Sequence, residues 1–193
     1  MYEIKARNPS IAWKNIMTLI NNYGTNIVSD QGLTREILNL CVEIQYPLEG
    51  YPIEGTGWDL PALEKYASDL CNFSYDLKGF DYNYCERMGR QVYHVIELLK
   101  NYPNTRQATI YLWIPEKDLE TKLYKPCQVV ADYKLRQGRL HATHFFRSHD
   151  VQDAYPQNIY GLGKLQKSIS DELGYNPGTL STISASAHYY IRQ

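Results

Sequence analysis

A chain of 193 residues has the length of one ordinary domain and can bury a substantial core. Its 20 basic and 21 acidic residues leave a net charge of -1, which excludes a global positive field for a nucleic-acid polymer but not a local cluster that holds a small anion. No run of about 18 apolar residues occurs and charges interrupt the N-terminus, so neither a membrane-spanning helix nor a signal peptide is expected, and the chain reads as cytoplasmic with reduced thiols.

Asn8-Pro9 predicts an N-cap and first helical residue. Ile11, Ile16, Met17, Leu19 and Ile20 follow at near-helical spacing, and Gly24 is expected to end the helix in a left-handed turn. Over 36–46, Ile37, Leu38, Leu40, Val42 and Ile44 mostly alternate, which predicts a half-buried strand stopped by Pro47. A Gly- and Pro-rich loop over 47–57 precedes Asp59, which caps a helix running to about Cys71. A second helix is predicted over 86–101, with Met88, Val92, Val95, Ile96 and Leu99 on one face. Strands are then predicted over 108–113, 128–135 and 139–146, the last two joined by a Gln137-Gly138 turn. A helix from about Asn158 to Leu173 ends at Gly174, and a final strand covers 182–190. Helices mixed with a central hairpin indicate an α+β fold, a mixed sheet with helices packed on one face, in a single domain over 1–193.

Four cysteines, Cys41, Cys71, Cys85 and Cys127, lie without the paired short spacing of a zinc site, so no metal is expected. Cys41 and Cys71 fall on apolar faces and read as inert buried thiols. Cys127 stands in different company. It is preceded by Pro126 and followed by Arg147-Ser148-His149-Asp150, Asn158 and His188-Tyr189-Tyr190. A nucleophilic thiol needs nearby positive charge, a guanidinium with a hydroxyl suits phosphate oxygens, and an amide can read a base edge. Together they point to covalent chemistry on a nucleotide.

The order Pro-Cys, Arg-Ser-x-Asp, Asn, His-x-Tyr resembles the thymidylate synthase and deoxycytidylate hydroxymethylase family, and FDYNYCER over 80–87 resembles its short archaeal-type members. The resemblance implies a thymidylate synthase-like fold and a homodimer that transfers a one-carbon unit to C5 of a pyrimidine nucleoside monophosphate, methylating dUMP with 5,10-methylenetetrahydrofolate. It implies Cys127 as nucleophile at C6, with Glu64 as general base through water and Tyr84 in the pocket. Arg147, Ser148 and, from a second subunit, Arg106 would hold the 5'-phosphate; Arg35 is either a further phosphate ligand or a surface residue. Asn158 would read the base, His188 and Tyr190 the sugar 3'-hydroxyl, and Asp150 the folate pterin ring. An Asn amide suits uracil or, flipped, cytosine, and the resemblance favours uracil; a helix N-cap is its structural alternative.

Several positions depart from the family pattern. Gln107 replaces a second arginine beside Arg106, Gln128 replaces a His after the Pro-Cys pair, and Phe146 replaces a Gln before Arg147, the last two expected against the substrate. The sequence given ends at Gln193, short of the segment that closes over the folate in the family, and an open site favours water over hydride as the capturing nucleophile. Hydroxymethylation of dUMP, dCMP or CMP is therefore an alternative product, and a catalytically silent nucleotide-binding subunit is an alternative function.

Overall fold

A computed structural model describes residues 1–71, 84–120 and 125–192. Of the 80–87 stretch, positions 80–83 lie outside the described residues. The chain order is β1 (Tyr2–Ala6), α1 (Pro9–Tyr23), β2 (Thr25–Ser29), β3 (Gly32–Ile44), α2 (Leu60–Cys71), α3 (Tyr84–Asn101), β4 (Thr109–Tyr111), α4 (Pro115–Asp118), β5 (Gln128–Arg136), β6 (Arg139–Phe146), β7 (His149–Asp150), α5 (Tyr155–Leu173) and β8 (Asn176–Tyr190). The strands form one mixed sheet in the order β1-β3-β8-β6-β5-β4, with β2 paired to β3 and β7 to β8. The fold is the expected α+β sheet with helices packed on one face.

Local sequence explains most of these boundaries. Asn8 Oδ1 accepts from Ile11 N at 3.1 Å and Pro9 opens α1, an arrangement that contributes about 1 kcal/mol to the helix. Ala12, Ile16 and Ile20 of α1 are fully buried against the sheet. Asp59 caps α2 as expected, accepting from Ala62 N at 2.9 Å. Gln137 and Gly138, at φ 49° and 71°, make the tight turn between β5 and β6.

Two expectations are corrected. Gly24 does not adopt a left-handed conformation: its φ is -69° and ψ 150°, because the chain passes straight from α1 into β2. Glycine is needed there for space instead, since a Cβ would stand 2.5 Å from Ile20 O and 2.9 Å from Arg35 Cγ. Asn158 is not the N-cap of α5. That helix begins three residues earlier, with Pro156 in its first turn, and the Asn158 backbone N–H already donates to Ala154 O at 3.0 Å. Its side chain is thereby released for tertiary contacts. The strands β1 and β2 were not expected; both are five residues long and supported mainly by their pairing with β3.

One contiguous core joins α1, α3 and α5 to the sheet, while α2 packs on the outside of α5 through Leu63, Ala67 and Tyr160. Gly161 permits that approach, because a Cβ there would meet Leu70 Cδ2 at 2.8 Å and Tyr66 Cε1 at 2.9 Å. Pairing then decides what meets at one end of the sheet. Gln128 at the start of β5 lies opposite Phe146 at the end of β6, so Cys127 and Arg147 leave the hairpin side by side. Where β6 ends, β7 takes over pairing with β8 and sets Asp150 beside His188, whose partner on its other flank is Glu36 of β3.

Candidate active site

A cleft of about 580 Å³ opens at this end of the sheet. Six of the residues expected from sequence line it: Cys127, Arg147, Ser148, Asp150, His188 and Tyr190. They come from the mouth of the β5–β6 hairpin, from the segment through β7, and from the end of β8. The β2–β3 hairpin, Trp113 and Lys125 complete the wall.

Arg147 braces the Pro-Cys segment. Its backbone N donates to Cys127 O at 2.9 Å, its Nε to Pro126 O at 2.9 Å and its Nη2 to Lys125 O at 2.7 Å. A guanidinium has five N–H donors, so several remain for an anion in the cleft. Lys125 reaches over the Trp113 ring, with Nζ 5.9 Å from its centroid, and adds a second cation on the same side as Cys127. Cys127 is half-buried and not disulfide-linked. The Gln128 backbone N, next in the chain, donates to Tyr84 Oη at 3.0 Å, so Tyr84 supports this segment from α3 without lining the cleft.

The opposite wall is acidic and hydroxylic. Asp150 Oδ1 accepts from the backbone N–H groups of Gln152 and Asp153, both at 3.0 Å, and burial raises its carboxyl above the usual range despite those bonds. Ser186 donates to Glu36 Oε1, and Tyr190 donates to Gln31 Oε1 at 2.7 Å. His188 stands edge-on to Tyr190, with centroids 5.4 Å apart, and burial pushes its imidazole below the ordinary range against the pull of Asp150 and Glu36. Sequence reasoning missed Glu36, Lys125 and Ser186. A charged residue amid the alternating apolar positions of β3 was a signal for Glu36, but its partner His188 emerges only from strand register.

Four expected residues do not line the cleft. Asn158 lies against the lining segment: its Nδ2 is 3.5 Å from His149 Nε2, and its Oδ1 accepts from Tyr66 Oη at 2.7 Å. Glu64 is exposed on α2, where it accepts from Tyr160 and from Lys164 Nζ at 2.8 Å, and the Lys164 ammonium holds its carboxyl below the usual range. Residues two apart on a helix face different ways, so only one of Glu64 and Tyr66 can point at Asn158. Tyr66 is the one that does. Arg106 is exposed in the loop between α3 and β4 and does not line the cleft of its own chain, and Tyr84 acts through Gln128 as described. Arg35 resolves to a structural role: its guanidinium donates to Ile20 O, Asn21 O and Asn26 Oδ1 at 2.9 to 3.0 Å, capping the C-terminal carbonyls of α1.

The two departures expected against the substrate lie behind the wall instead. Gln128 is 2% exposed, its Nε2 lying 2.8 Å from His144 Nδ1, and Phe146 is 1% exposed and stacks on His149 with centroids 3.9 Å apart. No helix among the described residues is long and apolar enough to cross a membrane.

Comparisons with known proteins agree with this architecture. A family model described as thymidylate synthase matches residues 58–193. A Methanococcoides burtonii protein named "Putative thymidylate synthase" is 39% identical over 195 residues, covering 97% of this chain and 88% of that one. A Methanothermobacter marburgensis protein of the same name is 35% identical, covering 98% and 93%. The crystal structure of thymidylate synthase from T4 phage superposes with a TM-score of 0.77 at 18% identity, covering 94% of this chain and 77% of that one, a likeness of fold. By family match and by relatives along nearly its whole length, the chain belongs to the thymidylate synthase family.

Proposed function

We propose that the protein is a pyrimidine nucleotide C5 one-carbon transferase, and that methylation of dUMP is the reaction its site supports best. The observation that carries this reading is the sharing of one cleft by Cys127, the cations Arg147 and Lys125, the Ser148 hydroxyl and His188. That set offers a nucleophile, an anion cradle and a hydroxyl reader around one cleft.

In this reading the Cys127 thiolate adds to C6 of uracil, and the C5–C6 π pair moves toward C5 and O4. One difficult substitution becomes two easier steps. After C5 has formed its new carbon bond it gives up its proton, and breakage of the S–C6 bond restores the conjugated ring. Arg147 and Ser148 hold the phosphate, with Lys125 as a further cation. Asn158 sits behind the cleft wall rather than in it, so it reads the base only where the ring reaches past the lining segment: with Tyr66 donating to one lone pair of Oδ1, the other would serve N3–H and an Nδ2 proton O4. Glu64 is not assigned the base role, since it is held in a surface ion pair with Lys164.

Methylenetetrahydrofolate, the co-substrate implied by family membership, supplies a one-carbon unit at C5 and, for a methyl product, the hydride. The residues present fit its pterin ring. Asp150 engages Oδ1 with backbone amides, and as a cleft-lining carboxylate it can accept from ring N–H donors through Oδ2. Arg106 enters only if a second copy of the chain brings it to the phosphate. Leu38 and Ile183, exposed apolar residues of the adjacent strands β3 and β8, favour such a covering copy.

Release of tritium from C5-labelled dUMP tests the reading, since exchange or transfer at C5 requires covalent activation and not mere binding. Release by the wild type and none by Cys127→Ser is expected. No release from dUMP, UMP, dCMP or CMP would reject the enzyme reading, and product mass separates a methyl from a hydroxymethyl group.

A further inference from the structure

Ser186 stands between two cleft-lining side chains. Its Oγ is 2.5 Å from Glu36 Oε1 and 3.4 Å from His188 Nδ1. Strand pairing makes this arrangement local: Glu36 lies directly across from His188 on β3, and Ser186 precedes His188 by two residues on β8, hence on the same side. A serine hydroxyl has one proton and two lone pairs, whereas an ionised carboxylate only accepts. The proton therefore lies in the bond to Glu36, and the serine oxygen turns a lone pair toward His188. A second lone pair on Nδ1 would oppose it, so Nδ1 carries the ring proton and Nε2 does not.

We propose that Glu36 and Ser186 are positioning residues that lock His188 in its Nδ1–H tautomer, so that Nε2 presents a lone pair to the cleft and selects a hydrogen-bond donor from the ligand. A neutral ring is required for this, and burial supplies it. The groups that bear electrostatically on the ring are Glu36 from β3, Asp150 from β7, Tyr190 from β8 and the buried, neutral His149. Tyr190 directs its own proton to Gln31 and leaves the donor requirement with the ligand. A sugar hydroxyl satisfies it, whereas a carbonyl or phosphate oxygen meets lone pair with lone pair. Naming the donor as the nucleotide 3'-hydroxyl rests on the functional reading above; the tautomer does not.

The experiment has two arms. Long-range proton–nitrogen correlation spectra of ligand-free, histidine-labelled protein, recorded near pH ~8 where imidazole is neutral, report which nitrogen of each ring is protonated. The His188 signals are identified by their loss in His188→Gln. The wild type is expected to show protonated Nδ1 and bare Nε2. Ser186→Ala, and independently Glu36→Gln, should shift the ring toward the Nε2–H form that predominates for free imidazole side chains in water, with the fold checked by circular dichroism. In the second arm, dUMP is expected to bind wild type about tenfold more tightly than 2',3'-dideoxyuridine 5'-monophosphate, the worth of one hydrogen bond. The variants should narrow that ratio to about twofold. A wild-type ring protonated at Nε2, or an Nδ1–H ring that persists in both variants, would overturn the lock whatever the ligand. A locked ring in a protein that does not bind dUMP would uphold the lock and overturn the nucleotide reading.

Discussion

The cleft and the layer of side chains directly behind it are built from the same residue types and behave in opposite ways. In the cleft, His188 adjoins Ser186 and Glu36 and retains an atom for a ligand. One layer back, His149 is 1% exposed and its ring is enclosed: Nδ1 lies 3.1 Å from Ser184 Oγ, Nε2 is turned to Asn158, and Phe146 covers one face. His144 is fully buried against Gln128. Burial lowers both inner rings to a pKa of about 3, which removes them as proton donors at neutral pH. Depth in the sheet, not residue type, separates groups available to chemistry from groups that hold the shape.

Substitutions on the two sides should therefore fail differently. The largest effect is expected at Cys127, where Cys127→Ser should lower C5 tritium release by at least about 10⁴-fold while the thermal unfolding midpoint stays within about 1 °C of wild type. Loss of release accompanied by a large drop in midpoint would place Cys127 with the structural layer and break the comparison. The reverse pattern is expected at Asp118, buried at the end of α4. Its carboxylate takes two guanidinium bonds from Arg87 at 2.7 and 2.8 Å and one from Ile114 N at 2.7 Å, and Arg87 also donates to Leu112 O. The Arg87 guanidinium holds this carboxyl below the usual range. Asp118→Ala removes both carboxylate bonds from a buried guanidinium together with the acceptor of Ile114 N and should cost about 3–5 kcal/mol in denaturant unfolding. Ligand binding by the fraction that stays folded should change little.

How much of this was legible beforehand follows from what pairing adds to pattern. The hairpin of β5 and β6 could be read from its alternation and its Gln-Gly turn, and with it the convergence of Cys127 and the 147–150 segment. Extending the turn's register without interruption puts Ser148 opposite Cys127. An irregularity between Gln128 and Val130 shifts the pairing by one residue and brings Arg147 there instead. The sequence carries no mark of that bulge. Glu64 of α2 is the general base that the resemblance implies, but only the close packing at Gly161 reveals that the face turned to Asn158 carries Tyr66. Arg35 looked equally suited to phosphate or to solvent, and what decides it is the C-terminus of α1, which is distant in sequence by 15 residues at its Ile20 contact.

A third test asks whether the cleft is complete in one chain. Arg106→Glu would place a negative charge against the phosphate if a second copy supplies that residue, and should reduce activity on the order of 100-fold. Mixing this variant with Cys127→Ser and allowing subunits to exchange should then restore roughly a quarter of wild-type activity, because half the dimers are mixed and each has one intact site. No recovery, with exchange verified by mass, would confine the cleft to a single protomer.

The most gradual effect, spread over several pH units and small within any one of them, concerns the inner histidines and has a fixed sign. Their folded pKa of about 3 lies below the ordinary imidazole value of 6.5, so the unfolded chain binds protons that the folded chain refuses. The stability they contribute is fully present above pH 6.5 and falls as pH drops from there to about 3. Each ring contributes a slope of about 1.4 kcal/mol per pH unit, in a window that begins above the range where carboxylates titrate. Urea unfolding at successive pH values should show this decline. His144→Gln, which keeps an acceptor for the Gln128 amide, should remove one ring's share of the slope. An unchanged slope in that variant would mean that His144 titrates freely in the folded protein, and the buried layer would then share the cleft's accessibility to protons.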